Sequence, residues 1–122
     1  MPVRGLTVTL AAADPERLRA ALNLACAAAA LGGRARLFLD GSAVALAGGK
    51  LESAEDGAYA AAGLPTLAQL MDEALALGVE PILCQSGLQL AGISMATVDP
   101  RFASGGLVSL IETLGEDRLV AL

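Results

Sequence analysis

Residues 66–84, TLAQLMDEALALGVEPILC, hold a helix, a stop signal and a strand in direct succession. Thr66 offers a hydroxyl to the free N–H groups of a first turn, and Leu67, Leu70, Met71, Ala74 and Leu75 recur along one helical face. Gly78 closes that helix, since glycine takes a left-handed turn at little steric cost. Val79–Cys84 (VEPILC) then has the length and apolar content of a strand covered on both faces. A helix that runs straight into such a strand belongs to a parallel crossover.

The same alternation extends outward in both directions. Val3–Leu10 (VRGLTVTL) reads as a first strand. Asp14-Pro15 starts a helix: the carboxylate caps free N–H groups, and proline at the first position gives up only an N–H that has no helical partner. Leu18, Leu22, Ala25 and Ala29 carry its apolar face, and Gly32-Gly33 ends it. Arg34–Leu39 (RARLFL) is a second strand, with Asp40-Gly41 as its turn and a short helical stretch over Ser42–Leu46. Ala47–Pro65 mixes glycines with Glu52, Glu55 and Asp56; by composition it is the least ordered part of the chain and a candidate lid. Beyond Cys84, Ser86-Gly87 marks the turn into a helical segment at Leu88–Ala91. Ile93–Val98 is expected to form a short fourth strand before the Asp99-Pro100 break. A last helix carries Leu107, Leu110, Ile111 and Leu114, and Asp117–Leu122 supplies a final strand.

That order predicts one α/β domain over residues 1–122. Its architecture is a three-layer α/β/α sandwich, flavodoxin-like, around an open and mostly parallel sheet of four to five strands. Ligands in such sheets sit at the carboxyl ends of the strands. Ala11–Asp14, Asp40–Ser42 and Cys84–Gly87 therefore converge on one rim.

Composition narrows the function. Apolar residues make up 55% of the chain and aromatic residues only 2%, which suits thin, closely packed layers and leaves apolar surface for subunit contacts. The net charge of −5, the scattered basic residues and the scarcity of rings argue against nucleic acid. The apolar stretch Leu18–Leu31 is interrupted by Arg19 and Asn23 and is too short to span a bilayer. A strand beginning within three residues of the start leaves no room for a signal peptide, so a cytoplasmic location is expected. Histidine is absent, which removes Ser–His and Cys–His catalysis and disfavours a zinc or iron site. No metal and no cofactor is expected.

Chemistry falls to the two cysteines, Cys26 and Cys84, which form no C-x-x-C pair. Cys84 leaves its strand where a helix begins, and free N–H groups there favour a thiolate. Ser86, the Gln85 side chain and the N–H groups of Gly87 and Leu88 are positioned to bond a sulfur anion or a persulfide. The plainer reading is a small hydrophobe packed at a strand end. Cys26, mid-helix among alanines, reads as core. Asp14 reads as a cap and Asp40 as a turn former, with Asp40 kept as a candidate for the rim pocket. The run after Cys84 contains no basic residue, which argues against a rhodanese or phosphatase loop. The Gly-Gly pairs at 32–33, 48–49 and 105–106 do not make a dinucleotide fingerprint.

The stretch PILCQSGLQLAGI (Pro81–Ile93) resembles the DsrE/DsrF-like family of sulfur-relay proteins, which includes TusD-type subunits. The likeness lies in a strand ending in cysteine, a small-residue turn, a short helix and the Gly92-Ile93 close, with Gly105-Gly106 ahead of the last helix. The resemblance implies a persulfide carrier in which Cys84 accepts sulfane sulfur from a donor protein and hands it to an acceptor protein. It also implies a homo-oligomer, trimer or hexamer. The alternative is a non-catalytic oligomeric subunit or small-ligand module of the same fold, because some subunits of that family lack the cysteine.

Overall fold

The computed structural model describes residues 3–122. Its elements run β1 (Leu6–Leu10), α1 (Pro15–Ala30), β2 (Ala35–Leu39), a 3₁₀ turn (Gly41–Ala47), α2 (Asp56–Ala61) and α3 (Leu67–Ala76). They continue with β3 (Glu80–Cys84), α4 (Gln85–Ala91), a second 3₁₀ turn (Met95–Thr97), β4 (Ala103–Gly105), α5 (Leu107–Glu112) and β5 (Arg118–Ala121).

The helix boundaries follow their caps. Asp14 Oδ1 accepts from the N–H groups of Glu16 (3.0 Å) and Arg17 (3.4 Å), and Pro15 opens α1. At α3 the Thr66 hydroxyl accepts from Gln69 N while the Gln69 side chain accepts from Thr66 N, a reciprocal pair that closes the first turn. Gly78 follows at φ +93°, a conformation that favours glycine.

Five strands form one sheet in the order β4-β3-β2-β1-β5, every pair parallel. From β1 to β4 each strand is added on the same side of the last. Right-handed crossovers therefore send α1, α3 and α4 to one face. The return from β4 to β5 crosses the sheet the other way and leaves α5 alone on the second face. Both faces carry helix, as the alternation predicts, but unequally.

The register sorts the side chains accordingly. Val8, Leu10, Leu37, Leu39 and Leu83 share one face, all fully buried, with Leu18, Leu22 and Ala74 of the covering helices also at zero exposure. Burying each leucine contributes roughly 1.5–3 kcal/mol. The second face bears Thr7, Arg36, Phe38 and Ile82. There Arg36 donates from Nε to Thr7 Oγ1 (3.0 Å), from Nη1 to Thr113 Oγ1 (2.8 Å) and from Nη2 to the Leu110 carbonyl (3.3 Å). Thr7 in turn donates to Asp117 (3.0 Å), which also pairs with Arg34 at 2.7 Å. So α5 is anchored by a buried guanidinium rather than by an apolar stripe. Of the four stripe residues expected to pack, Leu110 is buried, Leu114 is half-buried, and Leu107 and Ile111 are exposed.

Four expectations need correction. Ile93–Val98 is not a strand: Ser94 caps the Met95–Thr97 turn by accepting from Ala96 N, and the Thr97 hydroxyl donates to the Ser94 carbonyl. Its apolar spacing serves one-sided burial of that turn, while the fourth strand falls on Ala103–Gly105, too small and too exposed to carry an apolar signal. The first strand begins at Leu6 rather than Val3, and α4 begins at Gln85 rather than Leu88. Finally, the 47–65 segment is no loose lid, for reasons that belong to the site.

Candidate functional site

Cys84 ends β3 and is itself the N-cap of α4. Its extended backbone (φ −61°, ψ 121°) turns the thiol back over the first turn of the helix, where Sγ accepts from Gly87 N at 3.4 Å. The sulfur thus occupies the place a serine or aspartate oxygen takes at an ordinary cap. Cys84 is only 8% exposed and packs at the edge of the core, beside Leu83 and Leu88. Register pairs it with Gly105, which has no side chain to cover it.

The sharp feature of the site is the approach of two backbones. A Cβ added to Gly87 would lie 2.5 Å from the Gly41 carbonyl oxygen and 3.0 Å from Val44 Cγ1. Only glycine lets α4 sit directly on the 3₁₀ turn that follows β2. Next to that contact, Asp40 N donates to the Leu10 carbonyl (2.8 Å), and the Ser42 hydroxyl reaches the Ala11 carbonyl at 3.5 Å. The three rim segments expected to converge therefore do meet.

The individual side chains divide. Gly87 bonds the sulfur through its N–H and is buried. Gln85 and Ser86 flank Cys84 on the first turn of α4 and are exposed. Asp40 is half-buried at the head of the 3₁₀ turn, and its carboxylate makes no capping bond there. Asp14 is engaged as the α1 cap and pairs with Arg17 at 3.6 Å. Cys26 lies half-buried on α1; burial, and then the negative charge of Glu73, push its thiol above the ordinary range. Among the described residues no cluster of His, Cys, Asp and Glu suits a metal ion.

The sequence reading missed Arg19. An arginine among leucines and alanines looks like an interruption, yet its side chain is 5% exposed and organises the 47–65 segment. Nη1 donates to the Pro65 carbonyl (2.9 Å), Nη2 to Asp56 Oδ1 (3.3 Å), and the guanidinium stacks 3.5 Å from the Tyr59 ring centre. Asp56 accepts in addition from Leu67 N (2.9 Å) and Ser53 N (3.0 Å), and Ser53 donates to Glu16 (2.8 Å). The signal available in sequence was the pairing of a mid-helix arginine with the one tyrosine of the chain.

Comparison with known proteins places the chain as a whole. The model of the DsrE/DsrF-like family matches residues 5–122. The chain belongs to the DsrE/DsrF-like family. Among solved structures it is similar to the ychN protein of E. coli, with 25% identity over 97% of this chain and 99% of that one and a TM-score of 0.66. It also resembles MTH1491 of Methanobacterium thermoautotrophicum, a protein of unknown function, at 14% identity over 98% and 100% of the two chains with a TM-score of 0.70. The latter likeness is one of fold alone. Comparison with curated proteins gives no match. Membership of the DsrE/DsrF-like family suggests a sulfur-relay role, and among the described residues no helix is long and apolar enough to cross a membrane.

Proposed function

We propose that this protein is a sulfur carrier in which Cys84 takes up sulfane sulfur as a persulfide and passes it to a partner protein. The observation that carries the reading is the Gly87 N–H aimed at Sγ from the first turn of α4. A donor in that position can hydrogen-bond the sulfur of Cys84. Transfer is a simple exchange. The Cys84 thiolate attacks the terminal sulfur of a donor persulfide, the donor's S–S bond breaks, and its electron pair leaves on the donor thiolate. Repeating the step with an acceptor thiolate returns Cys84 to its starting state, with no net oxidation and no cofactor. Gln85 and Ser86, exposed beside the sulfur, would meet the docking partner, and Asp40 would border the same rim.

The carrier acts as a homo-oligomer of trimer or hexamer type in the cytoplasm, where its two unpaired thiols persist. The surface that supports assembly is α5 with its neighbour strand: Val108 is 81% exposed, and Leu107, Ile111 and Leu119 are each close to half exposed.

One observation favours a second reading. At 8% exposure Cys84 is close to a packed core residue, as a non-transferring subunit of the same fold would have it. Intact-protein mass spectrometry after incubation with a persulfide donor separates the two. The carrier reading expects wild type to gain the mass of one sulfur atom and Cys84→Ser to gain none, with Cys26 unmodified in both. An unmodified wild type, or equal labelling of the two proteins, assigns the chain to the non-transferring class.

A further inference from the structure

Beside the carboxyl end of β2 the fold leaves a recess of about 320 Å³ that neither Cys84 nor Gln85–Gly87 lines. Leu39 and Met71 form its floor, and Leu46, Leu51 and Phe102 its apolar walls. Three separate stretches enclose it: the 3₁₀ turn with the strap that follows, α3, and the chain from Thr97 to Phe102. Small domains fill space of this kind with side chains. This one reaches the lower end of the volume range of small-molecule pockets.

The charged side chains that line the recess are both carboxylates, Asp72 and Asp99. Their cation, Arg101, does not line it but bridges them, with Nη2 3.1 Å from Asp72 Oδ1 and 2.7 Å from Asp99 Oδ2. The three side chains are 49%, 70% and 36% exposed for Arg101, Asp72 and Asp99 respectively, so these pairs exchange with solvent and with competing cations at small cost. Hydrogen bonds from Arg101 hold the Asp99 carboxyl down to about 2, and it remains charged throughout the neutral range.

We infer that this recess binds a small apolar molecule carrying a single cationic head, an ammonium or a guanidinium. Its hydrocarbon body rests on Leu46, Leu51 and Phe102, and its head takes the place of Arg101 against Asp72 and Asp99. An anion would meet two carboxylates with no cation in the lining. A neutral molecule would leave both carboxylates to Arg101 and gain nothing from them. The site is separate from the chemistry at Cys84 and goes beyond the carrier reading.

The test is a titration of the full chain, labelled at methionine and leucine methyl groups, with 2-phenylethylamine as probe. Shifts are expected at the methyls of Met71, Leu39, Leu46 and Leu51. The neutral isostere 2-phenylethanol should bind about fivefold more weakly, and 3-phenylpropanoate more weakly still. Arg101→Ala removes the competing cation and should strengthen amine binding by roughly the same factor. Asp72→Asn with Asp99→Asn should erase the preference for amine over alcohol. Ala68→Phe, at an exposed α3 position that lines the recess, should abolish all shifts and leave Cys84 labelling unchanged. Absence of shifts at these methyls, equal binding of amine and acid, or a preference that survives the double Asn substitution overturns the inference.

Discussion

Gly87→Ala is the substitution for which the structure gives the most definite answer. The added methyl would stand 2.5 Å from the Gly41 carbonyl oxygen, about 0.5 Å inside the shortest separation that real Cβ atoms tolerate. The opposing atom is backbone, so no side-chain rotation relieves it; α4 and the 3₁₀ turn must move apart. Forcing extra volume into packed surroundings costs about 1–3 kcal/mol. Alanine recovers up to about 1 kcal/mol of helix propensity in the same helix. The net expectation is a loss of up to about 2 kcal/mol, a drop of up to roughly 30-fold in the folded-to-unfolded ratio. The same movement pulls the Gly87 N–H from the Cys84 sulfur and should change the alkylation rate of Cys84. Gly57→Ala in α2 is the control, because a Cβ there meets nothing within 4 Å. It should be neutral or stabilising by up to about 1 kcal/mol. Urea denaturation of both variants is the assay, with alkylation of Cys84 followed in parallel. A Gly87→Ala protein as stable as Gly57→Ala would refute the claim that glycine is required for α4 to seat on Gly41.

Arg36→Met removes the buried partner of Asp117 and the bonds that hold α5. About 3 kcal/mol or more of stability should be lost, measurable by urea denaturation. Asp56→Asn tests the strap. The N–H groups of Leu67 and Ser53 hold the Asp56 carboxyl below its ordinary value of 3.8. Its contribution is therefore present above about pH 4 and is lost as pH falls through the lower folded value. Wild type should exceed the variant in stability at neutral pH, with the gap closing in acid; a gap that is constant with pH would count against the ionised carboxylate. The same variant should be cut faster by protease within residues 47–65. Val108→Asp with Ile111→Lys should shift the sedimentation of the protein toward monomer without changing its circular dichroism; unaltered assembly would place the subunit interface away from α5.

The elements were legible because their causes are local. Caps at Asp14 and Thr66, glycine stops at 32–33 and 78, and apolar spacing over Leu67–Leu75 act within a turn or two of chain and can be read directly. They placed Cys84 at the end of a strand and the start of a helix, and the resemblance to DsrE/DsrF-like proteins rested on that stretch. Where local signal was thin the reading strayed. Ala103–Gly105 carries no apolar pattern because an edge strand of small residues needs none, and the alternation at Ile93–Val98 belonged to a 3₁₀ turn.

Other properties depend on which distant segments meet, and no residue records that by itself. The order β4-β3-β2-β1-β5 left α5 alone on one face, so an arginine helps Leu110 hold that helix while Leu107, Val108 and Ile111 face outward. Arg19 became the pin of the 47–65 segment only once Asp56, Tyr59 and Pro65 were folded against it. Local sequence pattern determined the strands, the helices and the place of the thiol; the order of the sheet, the contact between Gly87 and Gly41, the burial of the sulfur and the acid-rimmed recess came from tertiary packing. Hydrogen bonds and periodicity act between near neighbours, whereas burial is a property of everything that surrounds a group.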